Sequence, residues 1–100
     1  MPAYVLVDAV QLDEEGALKY RELAEPSIHR YGGRYLVQGQ VPEVAAGSWP
    51  SPDRVVTVLE FPDMARLREW HDSPEYQAAV KFREGSIELR MLFVEGKRAG

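Results

Sequence analysis

The sequence contains no cysteine, so disulfide scaffolds, cysteine-ligated zinc sites and thiol nucleophiles are all excluded. Basic residues are also in the minority. Twelve lysines and arginines stand against 16 acidic residues, and the net charge of −4 argues against a nucleic-acid partner. No apolar run approaches the roughly 20 residues that cross a membrane. Met1 and Pro2 lead directly into a strand-like segment without a signal peptide. We therefore expect a cytoplasmic protein that binds neither nucleic acid nor a membrane.

The sequence does have enough apolar residues for one hydrophobic core. They occupy 45% of the 100 positions, and a chain of this length forms a single domain. We place that domain at residues 1–96 and expect residues 97–100 to form a frayed tail.

Alternating and helical hydrophobic patterns divide the chain into six main elements. Four segments rich in aliphatic residues are predicted strands: residues 3–11, 34–41, 54–61 and 86–94. Asp13 is a predicted helix N-cap, and Gly32 with Gly33 ends that helix. The second helix opens at Asp63 and starts afresh at Ser73, a cap followed by proline. This order predicts an α+β, ferredoxin-like βαββαβ fold. Its four-stranded antiparallel sheet has the order 4-1-3-2 and helices on one face.

Each predicted strand has two faces, because side chains alternate across it. The inner set, expected under the helices, is nearly all apolar: Val5, Val7, Ala9, Tyr35, Val37, Val55, Thr57, Leu59, Phe61, Ile87, Leu89, Met91 and Phe93. The outer set is mixed: Tyr4, Leu6, Asp8, Val10, Arg34, Leu36, Gln38, Gln40, Arg54, Val56, Val58, Glu60, Glu88, Arg90, Leu92 and Val94. Two helices cover only one face, so the apolar part of the outer set predicts an interface. A second copy packed by two-fold symmetry covers it most simply, which predicts a homodimer.

The charges of the outer set suggest where a site could lie. We expect strands 1 and 3 to be parallel neighbours, which leaves Arg54 at one end of the sheet. Five charges would then meet at the opposite mouth of the dimer cavity: Asp8, Arg34, Glu60, Glu88 and Arg90. They form either a structural ion-pair network or a polar ligand pocket. In the pocket, Arg34 or Arg90 binds a carboxylate. Glu60 or Asp8 moves a proton.

Register gives one further expectation within this set. The start of strand 2 lies beside the end of strand 3 in an antiparallel pair, so Arg34 and Glu60 are expected to face each other.

Other polar and aromatic side chains give weaker signals. His29 and His71 lie on different helices without carboxylate partners at helical spacing, so we predict no metal site. His71 lies at a helix break and is kept as a candidate for acid–base chemistry. Ser73 is a cap rather than a nucleophile, since no Gly-x-Ser-x-Gly elbow surrounds it. Trp49 lies in a proline-rich loop, where a large aromatic side chain folds over the core or covers a pocket.

Four stretches of the sequence resemble a known family: residues 31–37 (YGGRYLV), 47–50 (GSWP), 54–62 (RVVTVLEFP) and 70–77 (WHDSPEYQ). They are similar to the uncharacterised bacterial family called domain of unknown function 1330, over nearly the whole chain. The resemblance implies the dimeric α/β-barrel superfamily. That superfamily is similar in architecture to small antibiotic-biosynthesis monooxygenases, muconolactone isomerases, haem-degrading enzymes and ligand-binding domains of regulators. The resemblance points to a set of pattern residues: Arg34, Trp49, Arg54, Glu60, Trp70, Ser73, Glu75 and Tyr76.

The resembled family has no agreed activity, so it implies a fold and no reaction. It carries tyrosine more often at the position of His71, which weakens a histidine mechanism. The haem-degrading relatives use a histidine late in the second helix, whereas residues 78–83 (AAVKFR) contain none. We therefore expect neither haem nor another cofactor.

Two functional hypotheses follow. The first is a homodimer that binds a small acidic or aromatic metabolite in a polar cavity between the sheet faces, with or without cofactor-free chemistry of the monooxygenase or isomerase type. Its ligand-binding candidates are Arg34, Arg90, Trp49 and Tyr76, and its catalytic candidates are Glu60, Asp8 and His71. The alternative is a non-catalytic dimeric module whose ion pairs are purely structural.

Overall fold

The computed structural model describes residues 1–98. This part of the chain forms four strands and three helices, and each helix begins at a capping side chain. The elements follow one another as β1 (Ala3–Gln11), α1 (Glu14–Arg30), β2 (Arg34–Gln40), β3 (Val55–Phe61), α2 (Met64–His71), α3 (Pro74–Arg83) and β4 (Ile87–Glu95). The side chains of Asp13, Asp63 and Ser73 each accept a hydrogen bond from a first-turn amide, so all three predicted caps are confirmed.

Two glycines, Gly32 and Gly33, follow α1, and each is required for a different reason. Gly32 has φ = +85°, a conformation that side chains other than glycine rarely adopt. A Cβ atom on Gly33 would lie 2.6 Å from Cζ of Phe61. One glycine therefore turns the chain, and the other lets β2 begin against the core.

The sheet has the order β2-β3-β1-β4, and every neighbouring pair is antiparallel. This confirms the predicted fold class and strand order. The expectation that strands 1 and 3 are parallel neighbours is wrong. The crossover through α1 makes β2 parallel to β1. β3 lies between these two strands and runs antiparallel to both.

The core lies between the inner face of the sheet and the helices. Its largest fully buried side chains are Trp70, Tyr76, Phe61, Leu67 and Val5. The ring of Trp70 lies 4.2 Å from that of Tyr76 and 5.2 Å from that of Phe61, centroid to centroid. Nε1 of Trp70 donates to Oγ of Ser27 at 3.0 Å, which ties α2 to α1.

The pairing of β2 with β3 is irregular, and this changes two predicted face assignments. The register shifts between Tyr35 and Val37, so that Val37 lies opposite Val58 on the outer face. Gln38 then turns inward, where its Nε2 donates to Glu25 of α1 at 3.2 Å. The inner placement of Val37 and the outer placement of Gln38 were therefore wrong, because the extra residue reverses the alternation.

The two ends of the described chain meet beside the sheet. Glu95 pairs with Ala3, and the amide of Gly96 donates to the carbonyl of Pro2 at 2.7 Å. Residues 97 and 98 have no regular secondary structure, and the other two residues of the predicted tail lie outside the described residues. Within residues 1–98, no helix combines the length and the apolar character needed to cross a membrane.

Candidate functional site

The charges of the outer face form two groups at opposite ends of the sheet. Asp8 lies opposite Val56, whereas Glu60 lies opposite Tyr4 and Arg34. The predicted meeting of five charges at one mouth is therefore wrong. It depended on β1 and β3 being parallel, and in the antiparallel pair positions 8 and 60 are four residues apart along the ladder.

The first group, which we call the Arg54 cluster, consists of Asp8, Arg54, Glu88 and Arg90. Arg54 is only 4% exposed, and its guanidinium donates to Oδ1 of Asp8 at 2.5 Å and to Oε1 of Glu88 at 2.7 Å. Nε of Arg90 donates to the same Asp8 oxygen at 2.9 Å. The hydrogen bond from Arg90, with that from Arg54, lowers the pKa of Asp8. The expectation that Arg54 lies apart from the other charges is therefore wrong, because Arg54 contacts Asp8 and Glu88 at the same end of the sheet.

The second group is the Arg34–Glu60 pair. Nη2 and Nε of Arg34 lie 2.7 Å and 2.8 Å from Oε1 of Glu60, so the expected contact across β2 and β3 is confirmed. Arg34 is largely exposed, and Glu60 is half-buried. Burial, followed by the nearby Glu60 carboxylate, raises the pKa of the Tyr4 phenol.

The remaining candidates lie on the helix side of the sheet or in the loop. His71 packs against Tyr76 and Phe93, with ring centroids 5.7 Å and 5.1 Å away. Trp49 lies in the irregular segment between β2 and β3, and its indole Nε1 is buried without a partner among the described residues. The structure therefore brings His71 and Tyr76 together and separates both from the charges of the outer face.

A cavity of about 330 Å³ lies on the inner face, between the sheet and α1. Apolar side chains dominate its wall: Val7, Ala9, Ala24, Ile28, Val55, Leu59, Trp70, Ile87, Leu89 and Met91. A few polar side chains interrupt that wall: Gln11, Tyr20, Arg21, Tyr35, Gln38 and Thr57. An apolar wall with sparse polar groups is typical of small-molecule sites.

Sequence reasoning missed this cavity, although part of the signal was present. Alternation had assigned Tyr35 and Thr57 to the inner face, and Tyr20 lies at helical spacing from Ala17 and Ala24, two buried residues of α1. These residues could have been grouped across the layer. Gln38 could not have joined them, because the register shift in β2 leaves no mark in the alternation pattern.

A chain of hydrogen bonds leads from α3 to the cavity wall. Nη1 of Arg83 donates to the hydroxyl of Tyr76 at 3.1 Å, and that hydroxyl lies 2.7 Å from the hydroxyl of Tyr20. Burial raises the pKa of the Tyr20 phenol, although the Tyr76 hydrogen bond and the charge of Arg83 act in the opposite direction. Burial likewise raises the pKa of Tyr35 and of Tyr76. These phenols therefore stay protonated at neutral pH.

Across residues 1–98, histidine and acidic side chains nowhere come together in a group of three or more that could hold a metal ion.

Comparison with known proteins first gives the class of the fold. A dimeric protein of unknown function from Bacteroides fragilis with a ferredoxin-like fold superposes with a TM-score of 0.56 and 16% identity, over 95% of this chain and 96% of that chain. SnoaB, a cofactor-independent oxygenase from Streptomyces nogalater, superposes with a TM-score of 0.62 and 8% identity, over 98% and 95%. At these identities the similarity shows the fold alone.

The family is shown by the sequence itself. The chain belongs to the family Domain of unknown function (DUF1330), whose model matches residues 2–97, and this confirms the resemblance. RPA0582, a protein of unknown function from Rhodopseudomonas palustris, superposes with a TM-score of 0.77 and 23% identity, over 98% of this chain and 84% of that chain. No curated protein matches the sequence.

Proposed function

We propose that this protein binds a small, mainly aromatic molecule in the cavity between the sheet and α1, and that it does so as a homodimer joined through the outer face. The observation that carries the proposal is the cavity itself. Its volume of about 330 Å³ falls within the range of small-molecule sites, roughly 300–1,000 Å³.

The wall of the cavity favours an aromatic ligand. Rings of Tyr20, Tyr35 and Trp70 line it beside Met91. Aromatic rings pack edge-to-face or offset against such side chains, and the thioether of methionine makes favourable contacts with rings. The charged side chain on the wall, Arg21, is exposed and already donates to Gln11, so a largely uncharged ligand fits better than a strongly acidic one.

The outer face supports the homodimer. Leu36 and Leu92 are 46% and 62% exposed on it, and Leu6 and Val94 are also exposed. Apolar side chains of this number on one flat face mark an interaction surface. A dimeric protein shares the fold. We assign the Arg54 cluster and the Arg34–Glu60 pair to this interface, where they orient the two sheets. Arg34, Arg90, Glu60 and Asp8 then have interfacial rather than catalytic roles.

Cofactor-free chemistry in the same cavity is the second candidate. SnoaB is a cofactor-independent oxygenase with this fold, and the phenol chain that ends at Tyr20 offers a proton donor. Oxygen uptake, or chromatographic conversion of a bound probe, would support a reaction. A probe that is bound and recovered unchanged under air contradicts this second candidate and leaves binding in place.

Binding is tested with the aromatic hydrocarbon tetralin. We expect tetralin to raise the thermal midpoint of the wild-type protein, since a ligand of the native state stabilises it. Ala9→Leu fills the cavity from β1 and should abolish the rise. Ala65→Leu makes the same change on an exposed position of α2 and should retain it.

Chemical shifts of the unmodified protein give a second measurement that does not depend on a variant. Tetralin should shift the amide resonances of Val7, Tyr35 and Leu89 more than those of Leu36 and Leu92. Shifts confined to the outer face, or none at all, would overturn the proposal.

A further inference from the structure

The chain of hydrogen bonds from Arg83 through Tyr76 to Tyr20 has a direction. A guanidinium only donates, so the Tyr76 oxygen accepts from Arg83. Tyr76 is fully buried, and its hydroxyl proton has Tyr20 as its acceptor within hydrogen-bond distance. If Tyr20 donated to Tyr76 instead, the buried Tyr76 proton would lose its partner, which is costly. The chain therefore runs from Arg83 to Tyr76 and from Tyr76 to Tyr20.

This direction leaves the proton of Tyr20 for a ligand. The Tyr20 oxygen accepts from Tyr76, and Tyr20 itself lines the cavity. Each donor in such a chain polarises the next hydroxyl, so the last proton is a better hydrogen-bond donor than that of an isolated phenol. The wall around it is mainly apolar, so few other groups of the protein compete for an acceptor placed there.

We propose that Tyr20 is the specificity-determining residue of the cavity, and that it selects aromatic ligands bearing a carbonyl oxygen, such as aryl ketones and quinones. The inference rests on the proposed function, because it requires a ligand in that cavity. Tyr76 and Arg83 are positioning residues: they fix the Tyr20 oxygen as an acceptor and direct its proton away from the core.

The other polar groups of the wall are less suited to this role. The amide of Gln38 donates to Glu25, and the hydroxyl of Thr57 accepts from the backbone amide of Gly39 at 3.0 Å. Arg21 lies on an exposed position and donates to Gln11 at 3.3 Å. Tyr20 differs from these groups because its oxygen accepts from a hydroxyl that itself accepts from a guanidinium, and its own proton is the end of that chain.

The test uses two probes of nearly equal shape, 1-tetralone and tetralin, which differ by one carbonyl oxygen. We expect the wild-type protein to bind 1-tetralone about five- to tenfold more tightly than tetralin, the value of one well-placed hydrogen bond. Tyr20→Phe should bring the ratio of the two affinities to about one while tetralin still binds. Tyr35→Phe removes a second wall hydroxyl as a matched control and should keep the wild-type ratio.

A vibrational readout separates hydrogen bonding from mere packing. The carbonyl stretch of carbon-13-labelled 1-tetralone should move to lower wavenumber in the wild-type complex. That displacement should disappear in Tyr20→Phe and become smaller in Arg83→Met, which keeps the side-chain length but not the donor. A structural role of Arg83 alone would change stability and leave the frequency unchanged.

The outcomes distinguish the two proposals. Equal affinity for both probes in the wild-type protein overturns the role of Tyr20 and leaves the cavity as a binding site. A carbonyl frequency in the Tyr20→Phe complex equal to that in the wild-type complex has the same meaning. Absence of binding by both probes overturns the proposed function and this inference with it.

Discussion

The buried guanidinium of Arg54 donates to Asp8 on β1 across a distance of 2.5 Å. The same side chain reaches Glu88 of β4, so one cation just before β3 links three strands at one end of the sheet. Asp8 also accepts from Arg90, which completes a group with two cations and two carboxylates. This end of the outer face is therefore held by charge rather than by apolar contact.

Loss of Arg54 should strongly destabilise the fold. Arg54→Met removes the buried cation, so that Glu88 loses its ion pair with Arg54 and Asp8 keeps only its ion pair with Arg90. Breaking a buried pair costs about 3–5 kcal/mol, and we expect a loss of about 3 kcal/mol in urea unfolding at fixed protein concentration. Arg30→Met removes a mostly exposed pair with Glu75 and should cost no more than about 1 kcal/mol. Equal losses in the two variants would mean that Arg54 is not effectively buried.

Stability should fall with acid because of Asp8. Its pKa is lower in the folded protein than the unfolded value of about 4, so the carboxylate stabilises the fold above that pH. This contribution disappears as the pH falls through the folded pKa. Asp8→Asn should therefore be less stable than the wild type at pH 7, and the difference should narrow below about pH 4. Urea midpoints between pH 7 and 2.5 measure it.

A control for this pH dependence is Asp72→Asn, which changes a largely exposed carboxylate. Its midpoints should stay parallel to those of the wild type. A constant gap between Asp8→Asn and the wild type across the whole range would show that Asp8 does not titrate differently in the two states.

The outer face should lose its self-association when a charge is placed among its leucines. In the proposed dimer, Leu36→Asp or Val58→Asp buries an unpaired carboxylate, which costs several kcal/mol. Sedimentation velocity should then detect monomers or aggregates in place of a dimer. Leu18→Asp makes the same change on an exposed position of α1, 52% exposed, and should stay dimeric. A wild-type protein that sediments as a monomer at micromolar concentration would refute the interface.

The link between Trp70 and Ser27 should be worth a measurable share of stability. Ser27→Ala leaves the buried Nε1 of Trp70 without an acceptor, at a cost of about 1–3 kcal/mol. Chemical unfolding followed by Trp70 fluorescence in a Trp49→Phe background measures this. Ser48→Ala, on an exposed loop position, should be neutral. A Ser27→Ala protein as stable as its parent would mean that the indole finds another partner.

Much of the fold could be predicted from the sequence because its signals are local. Capping side chains at Asp13, Asp63 and Ser73 compete for first-turn amides wherever they occur, and strand alternation follows from the pleat. Gly32 turns the chain after α1 through its positive φ, whereas Gly33 is required by a tertiary contact, since a side chain there would meet Phe61. The predicted elements therefore match the observed ones closely.

The site was harder to predict because it depends on relations between elements. A wrong direction for β3 relative to β1 was enough to move Glu60 to the end occupied by Asp8. The contact between Arg34 and Glu60 was still predicted correctly, since it depends only on the antiparallel pairing of β2 with β3. The cavity needs the space between two layers, which no pattern along a single strand reveals.

The register shifts of β2 have a consequence for how copies of the protein can meet. β2 is an edge strand of the sheet. A straight edge strand would offer its free amides and carbonyls in regular order to another chain. The two shifts, with Gly39 at φ = +61°, interrupt that order within a strand of seven residues. Continuous ladder growth from this side is therefore blocked. Replacing Gly39 by valine and removing one residue at each of the two shifts would straighten the strand and convert a protected edge into a template for fibril-like stacking.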